Sequence, residues 1–380
     1  MSDIADQVLR IVPTVRLVPP PSIWSTERWY VLNIAARREI LLGGAAVQVL
    51  LSFLRAGSTE QRVGELNRSA GLEPDAGRLI VEQLVAEGLL APDGGDPWLE
   101  KTERRWRDAG WQAAFDHHLL TYDYPYLNYS DSEAPAIDKS IMEKFAVEGF
   151  DVNRYKEYAG SPALPVARTA DALECLARPF AEAWDRRNGS ESLPVATCDG
   201  LTTMISSSFG QLRSRRIRST VPRAPLVRKT SPSGGSRHPV ECYVLARRVL
   251  GLAPGAYHFA VGTSELERIG DLPGDDRLRS MLPGLWRAPF DPAAFVVVTG
   301  LWERNMYRYR EPRTFRTVFM DAGHAAATME LCGQALDLPV FWQHGVDDIA
   351  VHGLFGLRTE GLDEGVLYAA AVGRASAELP

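Results

Sequence analysis

The sequence predicts an α+β protein in which a small winged-helix domain precedes a larger sheet flanked by helices. Three observations carry that expectation. Residues 27 to about 94 read as two short strands followed by three short helices. From about residue 170 onward the elements lengthen, with continuous apolar strand runs and one long amphipathic helix. Between them lies an aromatic, acidic stretch of weak periodicity, which sets the expected boundaries at 1–95, 96–168 and 169–380.

Composition narrows the function classes. A chain of 380 residues is long enough for two domains, and 45% hydrophobic with 24% charged residues is the globular average, which excludes a disordered or fibrous chain. The formal net charge of −6 gives no general attraction to a polyanion, so neither nucleic acid nor a membrane surface is expected as a partner. The start, MSDIADQVLR, carries acids where a signal peptide has a basic region, and no window reaches the ~18 apolar residues of a membrane span. A cytoplasmic location is expected. Cys175, Cys198, Cys242 and Cys332 lack C-x-x-C spacing, which predicts reduced, mostly buried thiols and no metal site.

In the first domain, Trp29-Tyr30-Val31-Leu32-Asn33-Ile34 is β-rich, and Arg37-Arg38-Glu39 turns into a strand at Ile40-Leu41-Leu42. Val47, Leu50, Leu51 and Leu54 recur at helical spacing, with Gly57 as the expected left-handed stop. Ser58-Thr59-Glu60-Gln61 has the form of a capping box, and Pro74-Asp75 opens a third helix carrying Ile80 and Leu84 that Gly88 closes. A further helix is expected near Trp98–Phe115. The run from Tyr122 to Tyr129 reads either as an anchor onto a neighbouring domain or as a recognition surface. In the larger domain, Val240–Leu245, Phe295–Gly300 and Leu367–Val372 are expected strands, the second apolar enough for burial on both faces. Phe315–Asp337 reads as a long helix with Ala325, Met329, Cys332 and Leu336 on one face, its small residues suited to close approach in a core or a subunit contact.

The segment richest in chemistry is Lys229-Thr230-Ser231-Pro232-Ser233-Gly234-Gly235-Ser236-Arg237-His238-Pro239, just before a strand. Consecutive small residues let a backbone approach a ligand, hydroxyls and amides there can bond oxygens or ring nitrogens, and Arg237 can neutralise a phosphate. A surface turn is the competing reading. The spacing G-x-x-x-x-G-K-[ST] is missing, and no G-x-G-x-x-G follows an expected strand, which counts against an NTPase and a Rossmann site.

Pro-Ser-Gly-Gly-Ser-Arg-His-Pro followed by Val-Glu-Cys-Tyr-Val resembles the flavin-binding segment of the nitroreductase superfamily, and more closely its SagB-type branch, the thiazole/oxazole-forming peptide dehydrogenases. Four further segments resemble that branch in the same order: Pro254–Phe259, Phe319-Met320-Asp321-Ala322-Gly323-His324, Gly345-Val346-Asp347-Asp348, and Tyr368–Arg374. The resemblance spans about residues 165–376. It implies a nitroreductase-like mixed sheet, bound FMN and a homodimer. The positions matching the flavin segment are Ser231, Pro232, Ser233, Gly235, Ser236 and Arg237, with His238 in the same loop and Gly345 and Arg374 matching C-terminal flavin contacts. For the phosphate, Arg178, Arg186 and Arg187 stand nearest the branch's arginine motif, and Arg186 is taken as the candidate.

The branch carries a Lys-Tyr pair before its long helix, and Arg308-Tyr309 aligns with it here. Arginine stays protonated, so Tyr309 is the expected base and Arg308 a cation that lowers its pKa or orients a substrate amide. The competing reading takes Arg304, Arg308, Arg310, Arg313 and Arg316 as a solvated or interface-facing basic run. Among the histidines, His258 and His324 read as packing residues, His238 and His344 as possible cofactor contacts, and His117-His118 lacks a third ligand at metal spacing. The first domain resembles the PqqD-like recognition element, which implies capture of a precursor peptide's leader as an added strand. The implied function is FMN-dependent oxidation of azoline rings during maturation of a ribosomal peptide, with a cyclodehydratase as a further partner. The alternatives are an NAD(P)H-driven reductase of dehydroamino acids or nitro compounds, and a flavin-free scaffold presenting the precursor.

Overall fold

The computed structural model describes residues 7–19, 28–125, 127–147, 155–176, 194–215, 226–357 and 363–376. They fall into two compact units, Met1–Tyr126 and Leu127–Pro380. The division lies inside the tyrosine run, so the segment read as a connector from 96 to 168 contributes to both units.

In the first unit, β1 (Val8–Ile11), β2 (Val15–Val18), β3 (Trp29–Asn33) and β4 (Arg38–Leu42) precede α1 (Gly44–Ser52), β5 (Gly57–Ser58), α2 (Thr59–Ala70) and α3 (Pro74–Ala86). β6 (Leu90–Pro92), α4 (Pro97–Asp108) and α5 (Gln112–Thr121) follow. β3 is the middle strand of β2-β3-β4, and β1 pairs with both β5 and β6. Leu9, Val31, Leu50, Phe53, Val63, Val81 and Leu84 share one core.

Three local expectations are corrected. Helix α1 stops at Ser52, because Phe53 turns fully into the core; Gly57 is extended and pairs with Leu9, and Leu51 and Leu54 are exposed. The capping box is half made: Ser58 Oγ accepts from Gln61 N–H at 3.3 Å, but the Gln61 side chain donates forward to Glu65 at 3.2 Å. The single helix expected near Trp98–Phe115 is two, broken at Gly110, whose φ of +79° no helix accommodates. Arg16 grips Asp116 through two bonds of 2.7 and 2.6 Å, which fastens α5 to β2.

The second unit is α+β. It runs α6 (Ala134–Val147), β7 (Ala163–Pro165), α7 (Thr169–Glu174), α8 (Cys198–Phe209), β8 (Gln211–Arg215) and β9 (Leu226–Lys229). It continues with β10 (Val240–Ala246), β11 (Gly255–Ala260), β12 (Glu265–Gly270), α9 (Asp275–Met281) and β13 (Pro292–Leu301). The last elements are α10 (Glu303–Met306), α11 (Thr314–Ala335), β14 (Val340–Gln343), α12 (Asp348–Phe355) and β15 (Glu364–Arg374). Seven strands form one sheet in the order β14-β15-β13-β10-β11-β12-β7. Its ladders are all antiparallel, which corrects the expected mixed sheet; two isolated parallel bridges, Val195 to Arg374 and Thr197 to Leu250, lie outside these ladders.

Strand alternation sorts side chains between two cores. Val240, Cys242 and Val244 of β10 face Met204 and Ile205 of α8 and Ala322, Ala325 and Met329 of α11. Tyr243 and Leu245 face the opposite side, with Leu278 of α9 and Val351 and Phe355 of α12. Nine of the ten residues of β13 are buried, as its apolar run requires of a central strand covered on both sides. Of the four cysteines, Cys242 and Cys332 are buried, Cys198 is half-buried and Cys175 is exposed, all as free thiols. Among the described residues no helix is long and apolar enough to cross a membrane.

The small residues of α11 matter where the chain leaves the helix. A Cβ on Gly333 would lie 2.7 Å from the Leu338 carbonyl oxygen and 2.9 Å from Val340 Cγ2. Alanine gains up to ~1 kcal/mol of helix propensity there, but overpacking against backbone typically costs ~1–3 kcal/mol. Gly333→Ala is therefore expected to lower the melting temperature; an unchanged or higher melting temperature in a thermal scan would show that this turn yields.

Candidate functional site

Between β9 and β10 the Gly-rich loop forms a 3-10 turn, Gly234–Ser236, in which Gly235, Ser236 and His238 have φ of +58°, +53° and +48°. For the two residues that carry a Cβ this costs roughly 1–2 kcal/mol each and needs a surrounding that holds the turn. Asp321 of α11 supplies the hold. It accepts from Ser233 Oγ at 2.6 Å and from Gly234 N–H at 3.1 Å, while Ser233 Oγ itself accepts His238 N–H at 2.8 Å. Burial pushes the Asp321 carboxyl up, and the two donors work against that. Ser231 Oγ lies 2.9 Å from the Ser208 carbonyl and 3.0 Å from Thr328 Oγ1, so it ties the loop to α8 and α11. Arg237 is buried and its Nε donates to the Gly235 carbonyl at 3.1 Å.

Tyr309 meets this turn from outside. A Cβ on Gly235 would lie 2.2 Å from the Tyr309 hydroxyl oxygen, and one on Gly234 2.4 Å from Thr317 Cγ2. Glycine at both positions is thus a packing requirement as well as a dihedral one. Arg308 is committed to Asp138 of α6, with Nη2 at 2.7 and 2.6 Å from its two oxygens, and its guanidinium carbon stands 5.2 Å from the Tyr309 ring centre. Arg310 stacks on Phe145, 3.8 Å from the ring centre. The arginine run is therefore largely partnered rather than a solvated face.

Behind the loop lies a chain of buried charges. Arg304 Nη1 donates to the His238 carbonyl at 2.9 Å and sits 2.5 Å from Glu241 Oε1. Glu241 Oε2 is 3.1 Å from His258 Nε2, and His258 Nδ1 is 2.8 Å from Glu267 Oε2. Against burial, which pushes it up, Arg304 and His258 hold the Glu241 carboxyl down to about 2. Burial pushes the Lys229 ammonium down to about 8, with Glu241 opposing and Arg304 assisting. His258 thus bridges two buried carboxylates rather than only packing, whereas His324 and His344 are exposed.

The other expected site residues lie apart from the loop. Arg374 ends β15 opposite Pro292, nine residues along the ladder from Gly365, which pairs through Gly300 with Val240. At ~3.3 Å per residue that is about 30 Å from the loop end of the sheet. Gly345 is exposed after β14, the edge strand, where Asp347 caps α12 through Ala350 N–H at 3.0 Å. Arg186 lies outside the described residues. The cavity beside the loop, lined by Phe209, Lys229, Ser231, Ser233, His238 and Asp321, measures about 20 Å³. That is room for a water molecule, whereas cofactor pockets measure roughly 300–1,000 Å³. The chemistry of Arg237 and the serine-rich turn suits FMN; this cavity, among the described residues, does not hold it. Among the described residues no group of three or more His, Cys, Asp or Glu side chains is placed to hold a metal.

Sequence reasoning quoted Asp321 within a motif but gave it no role, and it missed Arg304 and Glu241 as parts of the site. Arg304 carries no local signal beyond its basic neighbours, and the pairs that matter are 88 residues apart for Ser233–Asp321 and 66 for His238–Arg304.

The chain is 28% identical over 280 residues to the trifolitoxin-processing protein TfxB of Rhizobium leguminosarum bv. trifolii, a match covering 70% of this chain and 72% of that protein. Among solved structures it is similar to a protein of Anabaena variabilis described as a nitroreductase, at 21% identity and a TM-score of 0.43, covering 62% of this chain and 46% of that one. It is also similar to a chain of the E. coli microcin synthetase McbBCD complex with truncated pro-MccB17, at 18% identity and a TM-score of 0.38, covering 65% and 95%. Residues 214–374 match the model of the Nitroreductase family, and the Gly-rich loop, Arg304, Tyr309 and Asp321 all lie inside the matched segment.

Proposed function

We propose that the chain is an FMN-dependent oxidoreductase of ribosomal peptide maturation that dehydrogenates a modified residue, an azoline ring in the first instance. The observation that carries this reading is the Tyr309 hydroxyl seated against Gly235, a proton acceptor at the turn that resembles a flavin segment. FMN, when bound, supplies a two-electron acceptor for hydride. Tyr309 takes the accompanying proton, and Arg308, held in place by Asp138, stands beside its ring. Arg237, Ser231 and Ser233 shape the turn on which the cofactor rests, and Arg186 and Gly345 are further proposed contacts; Arg374, at the far end of β15, is not assigned to a cofactor on the same chain's turn.

The reading includes a homodimer. Among the described residues, α11 leaves Phe315, Phe319, Met320 and Leu331 exposed along one side. A homodimer that covers this stripe removes apolar surface from water and completes the walls of the site. For the substrate, the similarity to a trifolitoxin-processing protein supports a peptide. In the first unit, β2 and β4 are the outer strands of a three-stranded sheet among the described residues, edges suited to capture of an extended leader. The family match of residues 214–374 equally supports a second reading, an NAD(P)H-driven reductase. Anaerobic bleaching of the bound flavin by NADPH alone distinguishes it; bleaching only by a cyclised precursor supports the dehydrogenase.

Three outcomes are expected. Purified protein reconstituted with FMN retains a flavin spectrum through gel filtration and elutes as a dimer; a colourless monomer after reconstitution counts against the reading. Tyr309→Phe keeps flavin and dimer but loses turnover by the ~10²–10⁴ usual for a general base. Normal turnover in that variant places the base elsewhere. Labelled precursor peptide binds the full chain whereas duplex DNA does not, and tight, salt-sensitive DNA binding would reverse the assignment of the first unit.

A further inference from the structure

We propose that Arg304 and His258 are positioning residues for the Gly-rich loop: Arg304 holds the His238 carbonyl, and His258 shares the Glu241 carboxylate so that Arg304 can stay there. The proposal rests on the loop being the cofactor-facing element, but the geometry behind it is independent of any cofactor. One nitrogen, Arg304 Nη1, serves both the His238 carbonyl at 2.9 Å and Glu241 Oε1 at 2.5 Å. That nitrogen has two protons, one for each acceptor. Arg304, Glu241, His258 and Glu267 are 3%, 2%, 0% and 7% exposed, so each must find its partners within the protein.

The charges decide the protonation state of the ring. Both His258 nitrogens face carboxylate oxygens, at 3.1 and 2.8 Å, and only an imidazolium donates from both. With it, two carboxylates meet two cations. The carboxylates raise His258 above the ordinary imidazole value although burial acts in the other direction. Among the remaining groups around the ring, Lys229 is another cation against Glu241 and burial pushes its ammonium down to about 8, so the His258→Gln variant separates the two titrations. Tyr158 and Tyr243 pack on it at 5.2 and 5.1 Å between ring centres, Lys156 and Glu364 neutralise one another at 2.5 Å beyond the Tyr243 hydroxyl, and Lys229 faces Glu241 from β9. Glu267 is further held by the Tyr158 N–H at 3.1 Å.

Loss of the ring proton leaves one nitrogen lone pair pointing at a carboxylate. Glu241 then draws Arg304 with both Nη1 protons, and the His238 carbonyl, at a residue with φ of +48°, loses its donor. The sign follows from the raised value. The hold is complete below the ordinary histidine pKa of ~6.5 and is lost as pH rises through the higher value His258 has in the folded chain.

The test is hydrogen–deuterium exchange of residues 231–239 in the full chain without added FMN, between about pH 6 and about pH 9, corrected for intrinsic exchange. Loop protection in the wild type is expected to fall by about tenfold across the titration, the effect of one charge-assisted hydrogen bond. His258→Gln is expected to give the low protection at every pH, and Arg304→Lys, which keeps the charge but not the fork, an intermediate level. A flat wild-type profile overturns the proposal without any variant, and so does full loop protection in a folded Arg304→Met protein. Failure of the functional reading has a different signature: no flavin is bound while the loop still responds to pH as described.

Discussion

Asp321 is the contact on which the site depends. A carboxylate 3% exposed in the middle of α11 is costly, and it is tolerated because its oxygens meet Ser233 Oγ and Gly234 N–H. Those two bonds fix the start of the turn, and Ser233 passes the constraint to its end by accepting His238 N–H. Between these points the backbone goes through two left-handed residues that carry a Cβ, costing roughly 1–2 kcal/mol each, comparable with the ~1.5–3 kcal/mol that a hydrogen bond to a charged group contributes. Remove the carboxylate and, on the α11 side, Thr328 still holds Ser231, but the two bonds that fix the start of the turn are gone.

How much of this was legible follows from the range over which each signal acts. The strands at Trp29, Val240 and Phe295 and the helix that became α11 declare themselves through local periodicity, and their observed limits differ from the expected ones by only a few residues. Helix ends were read less well where a tertiary contact outweighed a local signal, as when Phe53 took the chain into the core four residues before Gly57. The site divides in the same way. Ser231, Ser233 and Gly235 stand out as a run of small residues, but that their hydroxyls point inward to Ser208 and Asp321 depends on partners far along the chain. Arg308 was legible as the cation beside Tyr309, whereas its partner Asp138 lies 170 residues away in a stretch of weak periodicity.

The two faces of the sheet do different work for the same turn. On the side of α8 and α11 an apolar cluster surrounds Asp321 and its serine and threonine partners, and the loop is fastened there by a few hydrogen bonds. On the other side Glu241 shares the face of Tyr243, and the pairing of Tyr243 with His258 and of His258 with Glu267 sets the charges in a row across β10, β11 and β12. That row continues through Tyr158 to a second cluster, in which Lys156, Tyr243 and Thr299 all bond Glu364.

A loop held by carboxylate on one side and guanidinium on the other has its ends fixed and its middle free to meet a ligand. Gly235 is exposed although Ser233, Arg237 and His238 around it are bonded inward, so the part of the turn that faces outward is backbone and the Tyr309 hydroxyl. An aromatic cofactor laid there would meet peptide edges and a phenol rather than charged side chains, whose cations are already neutralised by Glu241 and Asp138. Among the described residues around the turn, the polar group set beside the exposed Gly235 backbone is thus the Tyr309 hydroxyl, and the proposed proton transfer rests on that placement.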